Sequence, residues 1–126
     1  MRRKDAPAAS LYKMVLVVRG ELRLTAGKAA VQVAHAAVML AVEAEKRRPE
    51  VFRAWSDGGG MKIAVVAPTL SDLEALARKA RGLGIPFVFV EDAGFTEVPP
   101  GTKTVLGLGP AAATEVDAVT GELPLL

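Results

Sequence analysis

The chain has no cysteine, a single histidine and few aromatic residues. The lack of cysteine excludes disulfides and thiolate chemistry and favours an intracellular protein. With one histidine, the usual zinc ligand sets cannot be assembled, so we expect no metal and no cofactor. The few aromatic side chains give little support for a stacking platform for single-stranded nucleic acid; they are Tyr12, Phe52, Trp55, Phe87, Phe89 and Phe95.

Long apolar runs are also missing. No run approaches the roughly 20 residues of a membrane-spanning helix, and the opening MRRKDAPAAS lacks the apolar stretch of a signal peptide. We therefore expect a cytoplasmic protein without membrane contact. Hydrophobic residues make up 51% of the 126 positions, which suits one compact core. The predicted organisation is a flexible basic lead-in over 1–11 and a single domain over 12–126.

Motifs of nucleotide binding and covalent catalysis are weak or absent. No GxxxxGK[ST] phosphate loop occurs, and none of the serines (Ser10, Ser56 and Ser71) lies in a nucleophile elbow, so an acyl-enzyme is not expected. The run 107–112 matches GxGxxA in letters, but the chain ends before a second strand could supply the ribose-binding acid. We interpret Gly107 and Gly109 as strand-exit glycines, with a nucleotide-binding module as an alternative.

Apolar runs alternate with amphipathic segments along the chain. Strands are predicted over 13–18, 61–67, 86–91 and 102–108, and helices over 25–47, 49–57, 71–82 and 111–119. Thr25 and a Ser71–Glu74 capping box are the expected helix caps. No helix separates the last two strands, which permits an antiparallel pair. The predicted fold is α/β, a three-layer α/β/α sandwich with a mixed sheet of about four strands.

Three polar side chains interrupt the small and apolar residues of the long first helix. Lys28, Gln32 and His35 follow at spacings of four and three, which place them on neighbouring turns. In a structural interpretation Lys28 reaches solvent, Gln32 caps a carbonyl and His35 is a core histidine. In a functional one they line a cleft at the helix N-terminus, where the helix dipole and Lys28 favour an anion.

A second polar group follows the third predicted strand. Asp92 and Thr96 lie just after it, and Thr102 and Thr104 follow a Pro-Pro-Gly turn. The ends of strands form the mouth of an open α/β sheet, where ligands bind. An Asx or capping turn made by Asp92 and Thr96 is the structural alternative.

Taken together, these segments resemble one family. Arg19 and Leu22 precede the motif GKxxxQxxHA over 27–36, and the motif DAGxT over 92–96 precedes PPGxxTVLxxGP over 99–110. The closing VDxVTGxLxL over 116–125 completes the set. This ordered combination resembles the type II peptidyl-tRNA hydrolases of archaea and eukaryotes, and it covers essentially everything after the lead-in.

The resemblance implies a small mixed sheet flanked by helices and hydrolysis of the ester between peptide and tRNA. It maps the functional lysine, glutamine and histidine of the family to Lys28, Gln32 and His35. The acidic and hydroxyl positions fall on Asp92, Thr96 and Thr104. It also implies a homodimer that acts on peptidyl-tRNA. Water is the expected nucleophile. Asp92 either polarises or deprotonates this water or holds Lys28 in place, and Lys28 faces the oxyanion or a phosphate near the 3′ end. His35 has a supporting role.

The net charge of the chain does not identify the residues that contact tRNA. The net charge of +2 permits a nucleic-acid partner without requiring one. Two positions depart from the family pattern: Glu21 replaces the usual Asp, and Ala26 replaces a frequent lysine. Because both lie in the entry loop, a noncatalytic tRNA- or protein-binding module is the alternative function.

Basic clusters lie at 2–4 and at 78–81. The candidate tRNA-binding residues are Arg19, Lys28, Lys62, Lys46 and Arg47.

Overall fold

The structure, a computed structural model, describes residues 11–94 and 97–126. The strands are β1 (Tyr12–Arg19), β2 (Lys62–Ala67), β3 (Phe87–Glu91) and β4 (Lys103–Ala112). The helices are α1 (Ala26–Arg47), α2 (Pro49–Asp57), α3 (Leu70–Gly82) and α4 (Ala113–Thr120), and a short 3-10 helix spans Gly20–Leu22. The predicted lead-in, apart from Leu11, lies outside the described residues.

The sheet has the strand order β2-β1-β4-β3. β1 and β2 are parallel, whereas β4 runs antiparallel to both β1 and β3. β1 is buried on both faces, which explains its continuous apolar sequence. On one face Met14, Leu16 and Val18 pack with α1 and α2; on the other Val15 and Val17 pack with α3 and α4. The predicted three-layer sandwich with a mixed sheet is confirmed.

Local sequence explains how the long helix begins and ends. Thr25 is its N-cap and accepts a hydrogen bond from the Lys28 N–H at 3.4 Å. Pro49 cannot continue α1 and instead occupies the first turn of α2. The predicted cap of α3 was wrong. Thr69, rather than Ser71, is the N-cap, and it forms a capping box with Asp72.

The two glycines of the GxGxxA match lie inside β4, so their interpretation as strand-exit glycines was wrong. Gly107 faces α1, and a Cβ atom there would lie 2.8 Å from Leu40 Cδ1 and 3.2 Å from the Ala36 Cβ. The glycine therefore lets the helix approach the sheet closely, which is a packing role.

The C-terminal residues cover one edge of the sheet. The Val66 N–H donates to the Pro124 carbonyl and the Leu126 N–H donates to the Ala64 carbonyl, both at 3.0 Å. Leu125 also forms an antiparallel bridge with Val65. Within the described ranges, no helix combines the length and apolar character of a membrane span.

Candidate active site

The predicted polar residues converge where α1 begins, β3 ends and β4 begins. Because β4 runs antiparallel to β3, its first residues lie beside the last residues of β3. The first turns of α1 pack over this same end of the sheet. Residues far apart in sequence, such as Lys28 and Asp92, therefore meet in space.

Lys28 and Asp92 form an ion pair between Nζ and Oδ1. The Lys28 side chain is 12% exposed and that of Asp92 only 2% exposed. Two opposite charges in such a dry place attract each other strongly, but both have lost hydration. The arrangement is therefore costly unless the charges stay paired.

Backbone hydrogen bonds fix the position of Asp92. Its N–H donates to the Thr102 carbonyl at 2.8 Å, and its carbonyl accepts from the Gly101 N–H at 2.9 Å. Its Oδ2 accepts from the Gly94 N–H at 2.6 Å. Gly94 has φ +91°, and a Cβ atom there would lie 2.4 Å from Pro100 Cγ. Only glycine fits this tight turn around the carboxylate.

Gln32 and Thr104 form the second pair of the site. Gln32 is 2% exposed and Thr104 is fully buried. Gln32 Nε2 donates to Thr104 Oγ1 at 2.6 Å, and that hydroxyl donates to the Val90 carbonyl at 3.3 Å. The pairing of β3 with β4 shifts by one residue between Val90 and Glu91. This bulge gives Thr104 the extra position from which its hydroxyl meets α1.

Arg19 borders the site and is held from two sides. Its Nε donates to Glu21 Oε2 at 2.7 Å, and its Nη1 donates to the Lys103 carbonyl at 3.2 Å. Glu21 also accepts from the Leu70 N–H at 3.0 Å. The hydrogen bond from Arg19, followed by that from Leu70, lowers the pKa of the Glu21 carboxyl. Glu21 thus remains ionised and orients the guanidinium.

Glu97 joins the loop that follows Asp92 to the start of α1. Its carboxylate accepts from the Thr25 hydroxyl at 2.5 Å and from the Thr25 N–H at 3.1 Å. These hydrogen bonds lower the pKa of the Glu97 carboxyl. Sequence reasoning missed this contact, because nothing local to Glu97 indicates a partner 72 positions away.

The structure brings Lys28, Gln32, Asp92 and Thr104 together and places Arg19 beside Lys103 at the same end of the sheet, but it separates other predicted residues from them. His35 is exposed, so the interpretation of it as a core histidine was wrong. Thr96 lies outside the described residues. Lys46 and Arg47 end α1 about 27 Å from Lys28, at a rise of 1.5 Å per residue.

Lys62 also lies at the opposite end of the sheet. It pairs in register with Met14, whereas Arg19 pairs with Ala67. Its ammonium lies 5.3 Å from the centroid of the Trp55 ring and donates to the Gly60 carbonyl at 2.5 Å. The role of Lys62 in tRNA binding stays a prediction.

The ammonium of Lys28 can face a negative charge that develops beside it. Lysine has three N–H donors, and among the described residues Asp92 is the partner of Lys28 Nζ. Two donors can therefore face a developing oxyanion. In the part of the chain that the structure describes, no group of three or more His, Cys, Asp or Glu residues could hold a metal ion.

Comparison with known proteins gives a consistent result. The family model described as "Peptidyl-tRNA hydrolase PTH2" matches residues 12–126. A peptidyl-tRNA hydrolase of Thermococcus onnurineus is 49% identical over 115 residues, covering 91% of this chain and 98% of that protein. The human "Peptidyl-tRNA hydrolase 2, mitochondrial" is 44% identical over 114 residues, covering 90% of this chain and 64% of that protein. A peptidyl-tRNA hydrolase of Staphylothermus marinus is 44% identical, covering 91% and 95% respectively.

Proposed function

Because the chain belongs to the PTH2 family of peptidyl-tRNA hydrolases, we propose that it hydrolyses the ester between peptide and tRNA. The products are free tRNA and peptide. The observation that carries the proposal is the buried ion pair of Lys28 and Asp92 beside the hydrogen-bonded pair of Gln32 and Thr104. Recycling of tRNA during translation is the role that this reaction serves.

Water is the nucleophile in the proposed reaction. The Thr104 hydroxyl is a poor candidate because it is already hydrogen-bonded to Gln32 and Val90. Ser56 and Ser71 lie on α2 and α3, where neither joins this group. The oxygen of water bonds to the ester carbonyl carbon, and the bond to the ribose oxygen breaks as that oxygen takes a proton.

Asp92 and Lys28 have complementary roles. The Asp92 carboxylate polarises or deprotonates the attacking water and holds Lys28 in place. The ammonium of Lys28 stabilises the oxyanion or a phosphate near the 3′ end, an effect typically of about 3 kcal/mol in a dry site. Gln32, Thr96 and Thr104 orient the water and the ester by hydrogen bonds. His35 stays in a supporting role.

Phosphate contacts from Lys and Arg supply most of the tRNA affinity. Arg19 and Lys28 are the best supported, since Lys28 belongs to the buried ion pair and Arg19 lies at the same end of the sheet. Lys62, Lys46 and Arg47 remain proposed contacts, but their distance from the site favours a smaller effect on hydrolysis. No metal or cofactor takes part in the proposed reaction, which takes place in the cytoplasm.

The proposed homodimer has support from the outer face of α1. Val31, Val38 and Val42 are 51%, 62% and 51% exposed, and Met39 is 44% exposed. Beside them a groove of about 530 Å³ reaches the edge strand β3. A two-fold axis can pair this apolar stripe with the same stripe of a second copy. Val38→Glu should give a monomer in sedimentation, whereas Ala118→Glu on α4 should not. A dimer that survives Val38→Glu contradicts this interface.

Hydrolysis of an N-blocked aminoacyl-tRNA tests the main proposal. Lys28→Met and Asp92→Asn should each lower turnover by about 10² or more. Lys13→Met is the matched control because Lys13 forms an ion pair with Asp117 and its side chain is 13% exposed. Its turnover should stay near the parental value. A parent that binds tRNA without cleaving it would instead indicate the noncatalytic module.

A further inference from the structure

A groove runs between α3 and β3, on the face of the sheet opposite α1. Its volume is about 380 Å³. Its lining combines basic and aromatic side chains at the open edge of the sheet, and it consists of Glu74, Ala77, Arg78, Arg81, Phe87 and Phe89. None of these residues belongs to the active site described above.

Two phenylalanine rings hold cations at this surface. The Arg81 guanidinium lies 5.2 Å from the centroid of the Phe87 ring, and the Lys103 ammonium lies 4.6 Å from that of Phe89. The two rings form an edge-to-face pair with centroids 6.3 Å apart. Cation–π attraction therefore places both charges along the strand without neutralising them.

The positive charge of the groove is not cancelled by ion pairs. Among the described residues, Arg78, Arg81 and Lys103 belong to no salt bridge. Glu74 is the acid in the lining, and Glu91 is the register partner of Lys103. Three cations against these two acids leave an excess of positive charge.

The groove lies on the other face of the sheet from the Gln32–Thr104 pair, but its basic side chains begin at the same end of the sheet as the active site. Lys103 directly precedes Thr104, and its carbonyl accepts a hydrogen bond from Arg19 at 3.2 Å. From Lys103 the basic side chains lie along β3 as far as Phe87. The length from Glu91 to Phe87 is about 13 Å at the rise of a strand. An RNA strand whose 3′ end lies at Lys28 can cross this end of the sheet and continue along this line with its regularly spaced negative charges.

We propose that the α3–β3 groove binds phosphate groups of the RNA substrate next to its 3′ end. The proposal rests on the proposed function, which supplies the RNA. Phosphates suit the groove better than bases, because Arg81 and Lys103 already cover the two rings. Lys79 is adjacent in sequence but lines the groove between α3 and α4, so the proposal excludes it.

The test is the affinity of uncharged tRNA at several salt concentrations, measured by fluorescence anisotropy. Arg78→Gln with Arg81→Gln should weaken binding on the order of tenfold and lower the slope of log K against log salt by about 1.5. Lys79→Gln removes the same kind of charge from the same helix and should bind like the parent. Glu74→Gln should tighten binding.

A double variant that binds tRNA as Lys79→Gln does, with an unchanged salt slope, would overturn the groove proposal. Thermal unfolding of each variant checks that the fold is retained. The parent is assayed separately for hydrolysis of a short N-blocked aminoacyl oligonucleotide ester. Failure there contradicts the proposed function, whereas the anisotropy result decides the groove whether or not the ester is cleaved.

Discussion

The Glu97 carboxylate accepts two hydrogen bonds from Thr25, one from the hydroxyl at 2.5 Å and one from the backbone N–H at 3.1 Å. Thr25 is also the N-cap of α1, so one residue joins the helix that carries Lys28 to the loop that follows Asp92. The negative charge of Glu97 lies at the positive end of the helix dipole, which favours its ionised form.

The first prediction concerns pH. The hydrogen bonds from Thr25 lower the Glu97 pKa below its ordinary value of 4.5, while Lys28 lowers it and Asp92 raises it by charge. A lowered pKa stabilises the folded protein above the ordinary value, and this contribution is lost as pH falls through the lowered pKa. Glu97→Gln should therefore unfold at a lower temperature than the parent at neutral pH, and the gap should close in acid.

Thermal unfolding followed by circular dichroism checks this prediction, with Glu45→Gln as the control at an exposed helical position. A gap for Glu97→Gln that stays constant from neutral pH to well below 4.5 would contradict it.

The second prediction concerns the buried hydrogen bond of Gln32. Thr104→Val keeps the shape of the side chain but leaves the Gln32 amide without its partner, at a cost of about 1–3 kcal/mol in the free energy of unfolding. Thr104→Ser should restore most of it. Adding Gln32→Leu to Thr104→Val should cost less than the sum of the single changes. Denaturant unfolding measures all four variants, and strict additivity would show that the two side chains are not coupled.

The third prediction concerns the turn after Asp92. Gly94→Ala places a Cβ atom 2.4 Å from Pro100 Cγ at φ +91°. The turn must shift, and the Asp92 carboxylate with it, so turnover should fall about tenfold or more. Gly82→Ala is the control, since a Cβ atom there meets nothing within 4 Å. Equal turnover of the two variants would show that the turn does not position Asp92.

The fourth prediction concerns His35. Its side chain is exposed on α1, whereas Gln32, one turn earlier, is buried at the site. His35→Ala should therefore keep turnover close to that of the parent, while loss of a general base would cost about 10² or more. Steady-state hydrolysis, with tRNA affinity measured in parallel, distinguishes a supporting role of His35 from a role as general base. Lost turnover with intact affinity would make His35 catalytic.

Most of the fold followed from hydrophobic periodicity. The apolar run of β1 predicted a strand buried on both faces, and Pro49 marked the end of α1 correctly. Capping signals did not identify the first residue of α3, because two of them overlap in the sequence. Thr69 with Asp72 and Ser71 with Glu74 both fit a capping box, and only the backbone conformation distinguishes them.

The site could be predicted as a set of residues but not as a geometry. The bulge in the pairing of β3 with β4 places Thr104 against Gln32, and no residue type in this segment predicts a bulge. Arg78, Lys79 and Arg81 looked like one basic cluster, but the helix turns Lys79 towards α4 and the two arginines towards β3. Adjacency in sequence is therefore a poor guide to a shared charged surface.

The pairing of the C-terminal residues with β2 also limits how separate molecules of the protein can associate through the edges of their sheets. A strand that already has partners on both sides offers no free backbone groups to a further strand. Ala64 and Val66 already pair with Leu126 and Pro124 on the outer side of β2. In the described part of the chain, β3 is thus the sheet edge left for strand addition. Edge-to-edge association would end with a closed pair instead of growing into a fibre.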